Sequence, residues 1–242
     1  MPPPIEITAI GCGGIGGHLV RHLCHYLHAE RRLAHVTLVD GDVFEESNRS
    51  RMRFASLENK AVVMARELAL AFGAVVTIEP VPEYVTPENA ESLVQEGHIV
   101  FLAVDNHATR RVVGAAVGRL RDVVLLSGGN DGVEPEAGRR GTYGNVQIVR
   151  RTGGVWRTSP LTRHHPEIAE APPHMPAAPG CGQLATAGAP QLLFTNLAVA
   201  SAMLNAFHAI LEDRGDYEEV YLDIARNRVL PVERAPPGVG EP

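Results

Sequence analysis

The stretch 5-IEITAIGCGGIGGHL-19 limits the possible folds more than any other part of the chain. An apolar run of strand character ends in Gly11, Gly13 and Gly16, spaced G-x-G-x-x-G, and a helical pattern begins directly behind them. Leu19, Val20, Leu23, Cys24 and Leu27 fall on one face of that helix. Glycines so placed let backbone come close to a phosphate, and the helix N-terminus offers N–H groups to it. A strand fed straight into a helix also commits the chain to crossover connections, and therefore to parallel strands.

The alternation continues. Strands are expected at 35-HVTLVD-40, 75-VVTIEPV-81, 98-HIVFLAVD-105, 122-DVVLLSGG-129 and 144-GNVQIVRR-151. Helices are expected over 59–73, near 87–95, over 109–121 and over about 190–211, with Gly73 ending the first of these. The stretch 218-EEVYLDIARNRVLPVER-234 reads as a hairpin. This is an α/β pattern, a mostly parallel sheet with helices on both faces and antiparallel strands near the C-terminus. The Pro- and His-rich segment 157–183 lacks periodicity and is expected to be a long, mobile crossing loop. The 242 residues, 45% hydrophobic, suit a single domain over 1–234, with a disordered tail at 235–242.

Several functions are disfavoured by composition. Net charge is −6, so no overall basic field invites nucleic acid or an acidic membrane. No apolar run reaches the ~18–20 residues of a bilayer crossing, and the N-terminus carries no secretory pattern. Cys12, Cys24 and Cys181 show no metal spacing, which favours a reducing, cytoplasmic setting.

At the end of the second strand, Asp40 stands where a ribose-binding acid belongs. Glycine loop and acid together suit a nucleotide, but a dehydrogenase would show the same pair, and so would a plain tight turn beside a surface acid. The stretch 40-DGDVFEESNRSRMRF-54 separates these readings. A nicotinamide enzyme needs no phosphate-binding cations here, whereas cleavage of a triphosphate does. Ser47, Asn48 and Arg51 supply hydroxyl, amide and guanidinium groups, and Lys60 follows at a helix start. Asp105, followed by Asn106, ends the strand 99–105 and is placed to hold Mg²⁺ between phosphates. The competing reading leaves Arg49, Arg51 and Arg53 on a solvated face.

These residues resemble the ThiF family, relatives of the ubiquitin-activating enzymes. The resemblance rests on 11-GCGGIG-16, on D-x-D-V-x-x-x-S-N-x-x-R in 40-DGDVFEESNRSR-51, on Lys60, and on 104-VDN-106 followed by Arg110. It continues through 144-GNVQIV-149, 181-CGQLATAG-188 and 220-VYLDIARNRVLPVER-234, nearly the whole chain. The glycine-loop wording is also similar to the ThiF-related protein of bacterial PRTRC cassettes.

The resemblance implies a Rossmann-like fold that uses ATP and Mg²⁺ to adenylate the C-terminal carboxylate of a ubiquitin-like or sulfur-carrier protein. It places Asp40 on the ribose, Asn48, Arg51 and Lys60 on phosphates, and Asp105 on the metal. Gly11, Gly13, Gly14, Gly16, Asp42, Ser47 and Asn106 complete the nucleotide-binding set. Arg51, Lys60, Asp105 and Cys181 are the expected catalytic residues. A homodimer is implied as well, and the apolar stretch 195-TNLAVASAMLNAFHAIL-211 needs cover from the domain or from a second subunit.

The chain departs from the family at several points. Met52 stands where glutamine is usual, the loop to Lys60 is short, and no Cys-x-x-Cys pairs are present for zinc. No arginine precedes the glycine loop, so the one that relatives send into the partner's site would have to come from Arg49, Arg53 or another protein. Cys181 has two readings, a carrier of acyl groups or sulfur and an inert loop residue. His18, His22, His25 and His28 have spacings that permit a metal, but they lie opposite the Leu/Val face, as a solvated or subunit-facing stripe does. His164, His165 and His174 show no matching ligand set. Three other functions stay open: adenylation of a small carboxylate such as one on modified tRNA, nucleotide binding without turnover, and nicotinamide-dependent oxidoreduction.

Overall fold

Every residue of 99-IVFL-102 is buried, as in a strand covered on both faces. In the computed structural model, which describes residues 3–50, 52–172 and 191–234, this strand lies inside one large mixed sheet. The strands are β1 (Ile5–Ile10), β2 (Ala34–Val39), β3 (Val76–Val81), β4 (Ile99–Leu102), β5 (Val123–Asn130), β6 (Val133–Glu134), β7 (Arg139–Arg140), β8 (Tyr143–Thr152), β9 (Val155–Trp156), β10 (Tyr217–Asp223) and β11 (Arg228–Glu233). The helices are α1 (Gly14–Ala29), α2 (Lys60–Phe72), α3 (Ala90–Leu93), α4 (His107–Arg119), α5 (Glu167–Glu170) and α6 (Leu193–Leu211).

Strand order is β11-β10-β8-β5-β4-β1-β2-β3, with β9 paired to β8 and β6–β7 forming a separate ribbon. From β5 to β3 neighbouring strands run parallel. From β5 out to β11 they run antiparallel. The chain leaves β1 towards β2 and β3, then returns to lay β4 on the other side of β1. The carboxyl ends of β1 and β4 therefore form a topological switch point, the place where such sheets bind ligands.

Both faces are covered, as the alternation predicts. One core packs α1, α2 and α6 on the sheet through Leu19, Leu23, Met64, Leu68, Met203 and Phe207. The other packs α3, α4 and α5 through Leu93, Val113, Val117 and Ile168. Helix α4 starts two residues earlier than the periodicity suggests, because Asn106 caps it by accepting the Thr109 N–H at 2.8 Å.

Two expectations are corrected. The run Leu193–Leu211 is long and apolar enough, by length and composition, to cross a membrane. In this fold it instead packs against α1, β5 and β8 and buries Thr195 and Asn196 with its apolar face. Residues 157–172 of the crossing segment hold a 3₁₀ turn at Leu161–Arg163 and the short α5, with Leu161 and Ile168 buried in the second core. The remainder of that segment, with His174 and Cys181, and the tail 235–242 lie outside the described residues.

Candidate active site

The glycine loop is shaped mainly by packing, except at one position. Gly11 has φ +92, and a Cβ there would lie 2.6 Å from Ala103 O at the end of β4. At Gly16 a Cβ would lie 1.8 Å from Gly11 O, so α1 can start against the loop only without a side chain. A Cβ on Gly14 would strike the Asn196 amide at 2.2 Å. Gly13 differs, because an added Cβ meets nothing within 4 Å. It borders a cleft of about 430 Å³ over the carboxyl ends of β1, β4 and β5.

Asp40 anchors the loop to β2. Its Oδ2 accepts the Cys12 N–H at 2.6 Å and its Oδ1 accepts the Asp42 N–H at 2.8 Å. Burial raises its pKa, only partly offset by the Lys60 charge and these two amides. For Asp42, burial pushes the carboxyl up, but bonds from Lys60 Nζ at 2.7 Å and from the Tyr84 hydroxyl at 2.6 Å outweigh it and hold the pKa low. The same bond raises the Tyr84 phenol. Lys60 is almost fully buried at the start of α2, whose cap is Asn59. That side chain accepts the Val62 N–H at 3.2 Å and donates to Asp40 O at 2.8 Å, tying the helix to the acid. Burial raises the Cys12 thiol well above its usual value, which suits its expected role as a packing residue.

Across the cleft, Asp105 is exposed after the end of β4, beside the capping Asn106. Arg110, one turn into α4, is buried and also lines the cleft. Among the described residues its guanidinium bonds neutral oxygens: the Ser127 hydroxyl, Val104 O at 2.8 Å and Gly128 O at 2.8 Å. Burial lowers its pKa to about 10, against the favourable charge of Asp105. It therefore stays a cation at neutral pH and gives the cleft floor a positive field.

Gly11, Gly13, Gly14, Asp40, Asp42, Lys60, Asp105 and Asn106 thus border one space. Other candidates do not reach it. The buried Asn48 accepts the Glu45 N–H at 3.1 Å and fixes its own turn. Arg49 pairs with Glu46 on the surface and sits 5.1 Å over the Phe54 ring, and Arg53 is exposed, so neither borders this chain's own cleft. Met52 is buried, its Cε 2.6 Å from where a Gly17 Cβ would stand. Met52 thus packs under the glycine loop. Arg51 and the Ser47 side chain lie outside the described residues. No group of three or more His, Cys, Asp or Glu side chains placed to hold a metal ion occurs among the described residues, the α1 histidines included.

The sequence reading missed the far end of the cleft. The consecutive His164 and His165 meet the consecutive Glu218 and Glu219 of β10, at 2.7 and 2.6 Å. Both carboxylates are buried, and a register shift between Tyr217 and Glu219 lets neighbouring residues of one strand be re-aimed. His165 also contacts Glu167 at 3.0 Å through Nδ1, and Asn145 donates to Glu219 at 2.8 Å. A doubled histidine and a doubled glutamate were the available signal, but only the β10 register shows that they pair.

Solved structures with this architecture include PaaA, at 16% identity over 95% of this chain and 64% of that one, with a TM-score of 0.65. MccB of E. coli with ATP matches at 14% identity over 97% of this chain and 64% of that one, TM-score 0.67. The microcin C7 biosynthetic enzyme MccB in complex with N-formylated MccA matches at 13% identity over 97% and 66%, TM-score 0.68. The chain therefore spans just under two thirds of the length of these proteins, which share its fold. No curated protein matches it by sequence. The ThiF family model matches residues 5–222, so the glycine loop, the acid at Asp40, the β4 edge and most of the antiparallel extension fall within one match, and the chain belongs to the ThiF family.

Proposed function

We propose that this protein adenylates the C-terminal carboxylate of a peptide or protein, with ATP as the adenylyl donor. The observation that carries the reading is the shared cleft at the switch point. A loop left open at Gly13 faces Asp40, the Asp42–Lys60 pair, the exposed Asp105 and the buried cation Arg110. Membership of the family supports this chemistry over nicotinamide-dependent oxidoreduction. Structures of MccB with ATP and with MccA support a peptide or protein acceptor. A ubiquitin-like or sulfur-carrier acceptor is the finer part of the proposal, as is onward transfer to Cys181.

In this reading Asp40 holds the ribose with the lone pairs left after its two amide bonds. Lys60 releases Asp42 to reach a phosphate, and Tyr84 keeps Asp42 hydrogen-bonded when it does. Arg51 and Ser47 would complete the phosphate contacts, as the family resemblance implies, and Asn48 holds its own turn. An exposed carboxylate at the β4 edge suits a hard cation with oxygen ligands, so Asp105 would hold Mg²⁺. Bound there, the metal would neutralise charge as pyrophosphate leaves. The chain contributes mainly position and field: a carboxylate becomes a useful acyl donor once AMP replaces its oxygen as leaving group, and Arg110 favours the incoming anion.

Nucleotide binding without turnover is a second reading, favoured by the engagement of Asn48 and Arg49 away from the cleft. Pyrophosphate exchange into ATP decides between them, measured with Mg²⁺ and Gly-Gly-ended carrier proteins. Acceptor-dependent exchange that disappears in Asp105→Ala supports adenylation. Tight ATP binding with no exchange for any carrier selects the second reading. A homodimer is proposed as well, since α6 leaves Phe194 66% and Leu197 37% exposed. Light scattering should give twice the chain mass of 26.0 kDa.

A further inference from the structure

The far end of the cleft contains an amide whose direction is fixed. Glu219 is fully buried, and its Oε1 receives two donors, Asn145 Nδ2 at 2.8 Å and His165 Nε2 at 2.6 Å. Its Oε2 accepts the Tyr221 hydroxyl at 3.2 Å. An ionised carboxylate accepts and never donates, so the NH₂ side of Asn145 must face Glu219. Turning the amide over would set two oxygens against each other in a dry site. The 3.1 Å approach of Asn145 Nδ2 to His165 Nε2 fits the same assignment, because both are donors converging on one oxygen. Asn145 Oδ1 is therefore held towards the cleft as an acceptor.

It faces the cleft beside Gly129 and Arg110. Asn145 of β8 sits directly opposite Gly129 of β5 in the antiparallel register. A Cβ on Gly129 would stand 3.0 Å from Arg110 Nη2 and 3.2 Å from Asn145 Oδ1. A side chain here would crowd both, so Gly129 leaves the cation and the fixed acceptor open to the cleft that all three residues line. Arg110 Nη2 already gives its protons to Val104 O and Gly128 O, so Arg110 attracts an anion by its field rather than by a new bond. A group that suits both walls carries a negative charge and an N–H donor a short covalent distance apart. The terminal residue of a peptide has that pair, its carboxylate and its own amide N–H. A simple carboxylic acid lacks the donor.

Building on the adenylation reading, we propose that Asn145 is a specificity-determining residue, whose carbonyl oxygen accepts the N–H of the acceptor's last peptide bond over Gly129. Glu219 and His165 act as positioning residues that keep the amide in this orientation. This contact would favour an acceptor whose last bond is an amide over a free aliphatic or aromatic acid that lacks the N–H.

The test compares two probes that differ in one atom, N-acetylglycylglycine and its ester analogue with oxygen in place of the last N–H. Binding is measured by calorimetry on the full chain, with and without Mg²⁺ and α,β-methylene ATP. The amide is expected to bind about fivefold more tightly than the ester, the worth of one net hydrogen bond. In Asn145→Ala the ratio should fall to one with nucleotide affinity unchanged. In Gly129→Ala both probes should be lost, again with the nucleotide retained. Equal affinity of wild type for the two probes, including no measurable binding of either, overturns the proposal, as does a ratio that survives in Asn145→Ala. Nucleotide affinity in the same samples tests the adenylation reading separately.

Discussion

Replacing Gly13 and Gly16 by alanine, one at a time, separates a ligand's space from the protein's own packing. At Gly16 the new Cβ falls 1.8 Å from Gly11 O, a backbone atom of the same loop that cannot swing aside. Overpacking of this kind costs roughly 3 kcal/mol. For a chain of this size that lowers Tm by about 6–12 °C. At Gly13 the backbone is at φ −79, open to any residue, and the Cβ meets nothing within 4 Å. The loss there is at most about 1 kcal/mol of helix capping. ATP at a hundredfold excess over its Kd stabilises the wild type by about 2.7 kcal/mol, or about 5–11 °C in Tm. Differential scanning fluorimetry with and without Mg²⁺ and ATP reads all of these shifts. Gly13→Ala should melt near the wild type without nucleotide and lose the ATP-dependent shift. Gly16→Ala should melt early in both conditions. If Gly13→Ala keeps the full shift, the open face of the loop is not where the phosphates sit, and the reasoning fails.

Other expectations follow from the same geometry. Arg110→Met leaves the Ser127 hydroxyl and two carbonyls without a donor and should cost about 3 kcal/mol by urea unfolding. Met52→Gln restores the residue usual in the family, yet it buries an unpartnered amide under Gly17 and should destabilise by about 1–3 kcal/mol in the same assay. The bond to Glu219 chiefly raises the pKa of His165, helped by Glu167, while Tyr221 and His107 also lie close. A histidine raised on folding contributes stability that is complete below its unfolded pKa and lost as pH rises through its folded value. Glu219 is pushed up by burial but held low overall by His165 and Asn145, so its contribution is lost only as pH falls through that lowered value. Protection factors over 157–172, corrected for base-catalysed intrinsic exchange, should therefore fall as pH rises through the His165 transition, and His165→Gln should flatten that dependence.

Much of the cleft along the β1, β2 and β4 edges was legible because its determinants are local. Gly11, Gly13 and Gly16 follow one strand directly, Asp40 ends the next, and Lys60 and Asp105 stand at element boundaries that periodicity and capping reveal. Asn48 shows the limit of that approach. Its spacing from Asp40 matches a phosphate ligand, while its bond to the Glu45 N–H makes it part of a turn. The end of the cleft beside β8 was not legible, since Gly129, Asn145, His165 and Glu219 lie far apart in sequence. They meet only through the β5–β8 and β8–β10 registers and the bulge beside Glu219. Tyr84 was missed for a similar reason, because nothing in its surroundings announces the bond to Asp42 that closes the near wall. The apolar stretch of α6 called for cover, but that α1, β5 and β8 supply it follows only from the sheet order.

The most direct test follows an oxygen atom. N-acetylglycylglycine labelled with ¹⁸O in both carboxylate oxygens is incubated with the protein, Mg²⁺ and ATP, and any acyl-adenylate is captured with hydroxylamine. If the carboxylate attacks the α-phosphate, one labelled oxygen stays on phosphorus when the acyl carbon is taken, and mass spectrometry finds AMP carrying a single ¹⁸O beside the acyl hydroxamate. Unlabelled AMP, ADP in its place, or no nucleotide product from a protein that binds ATP would contradict the account.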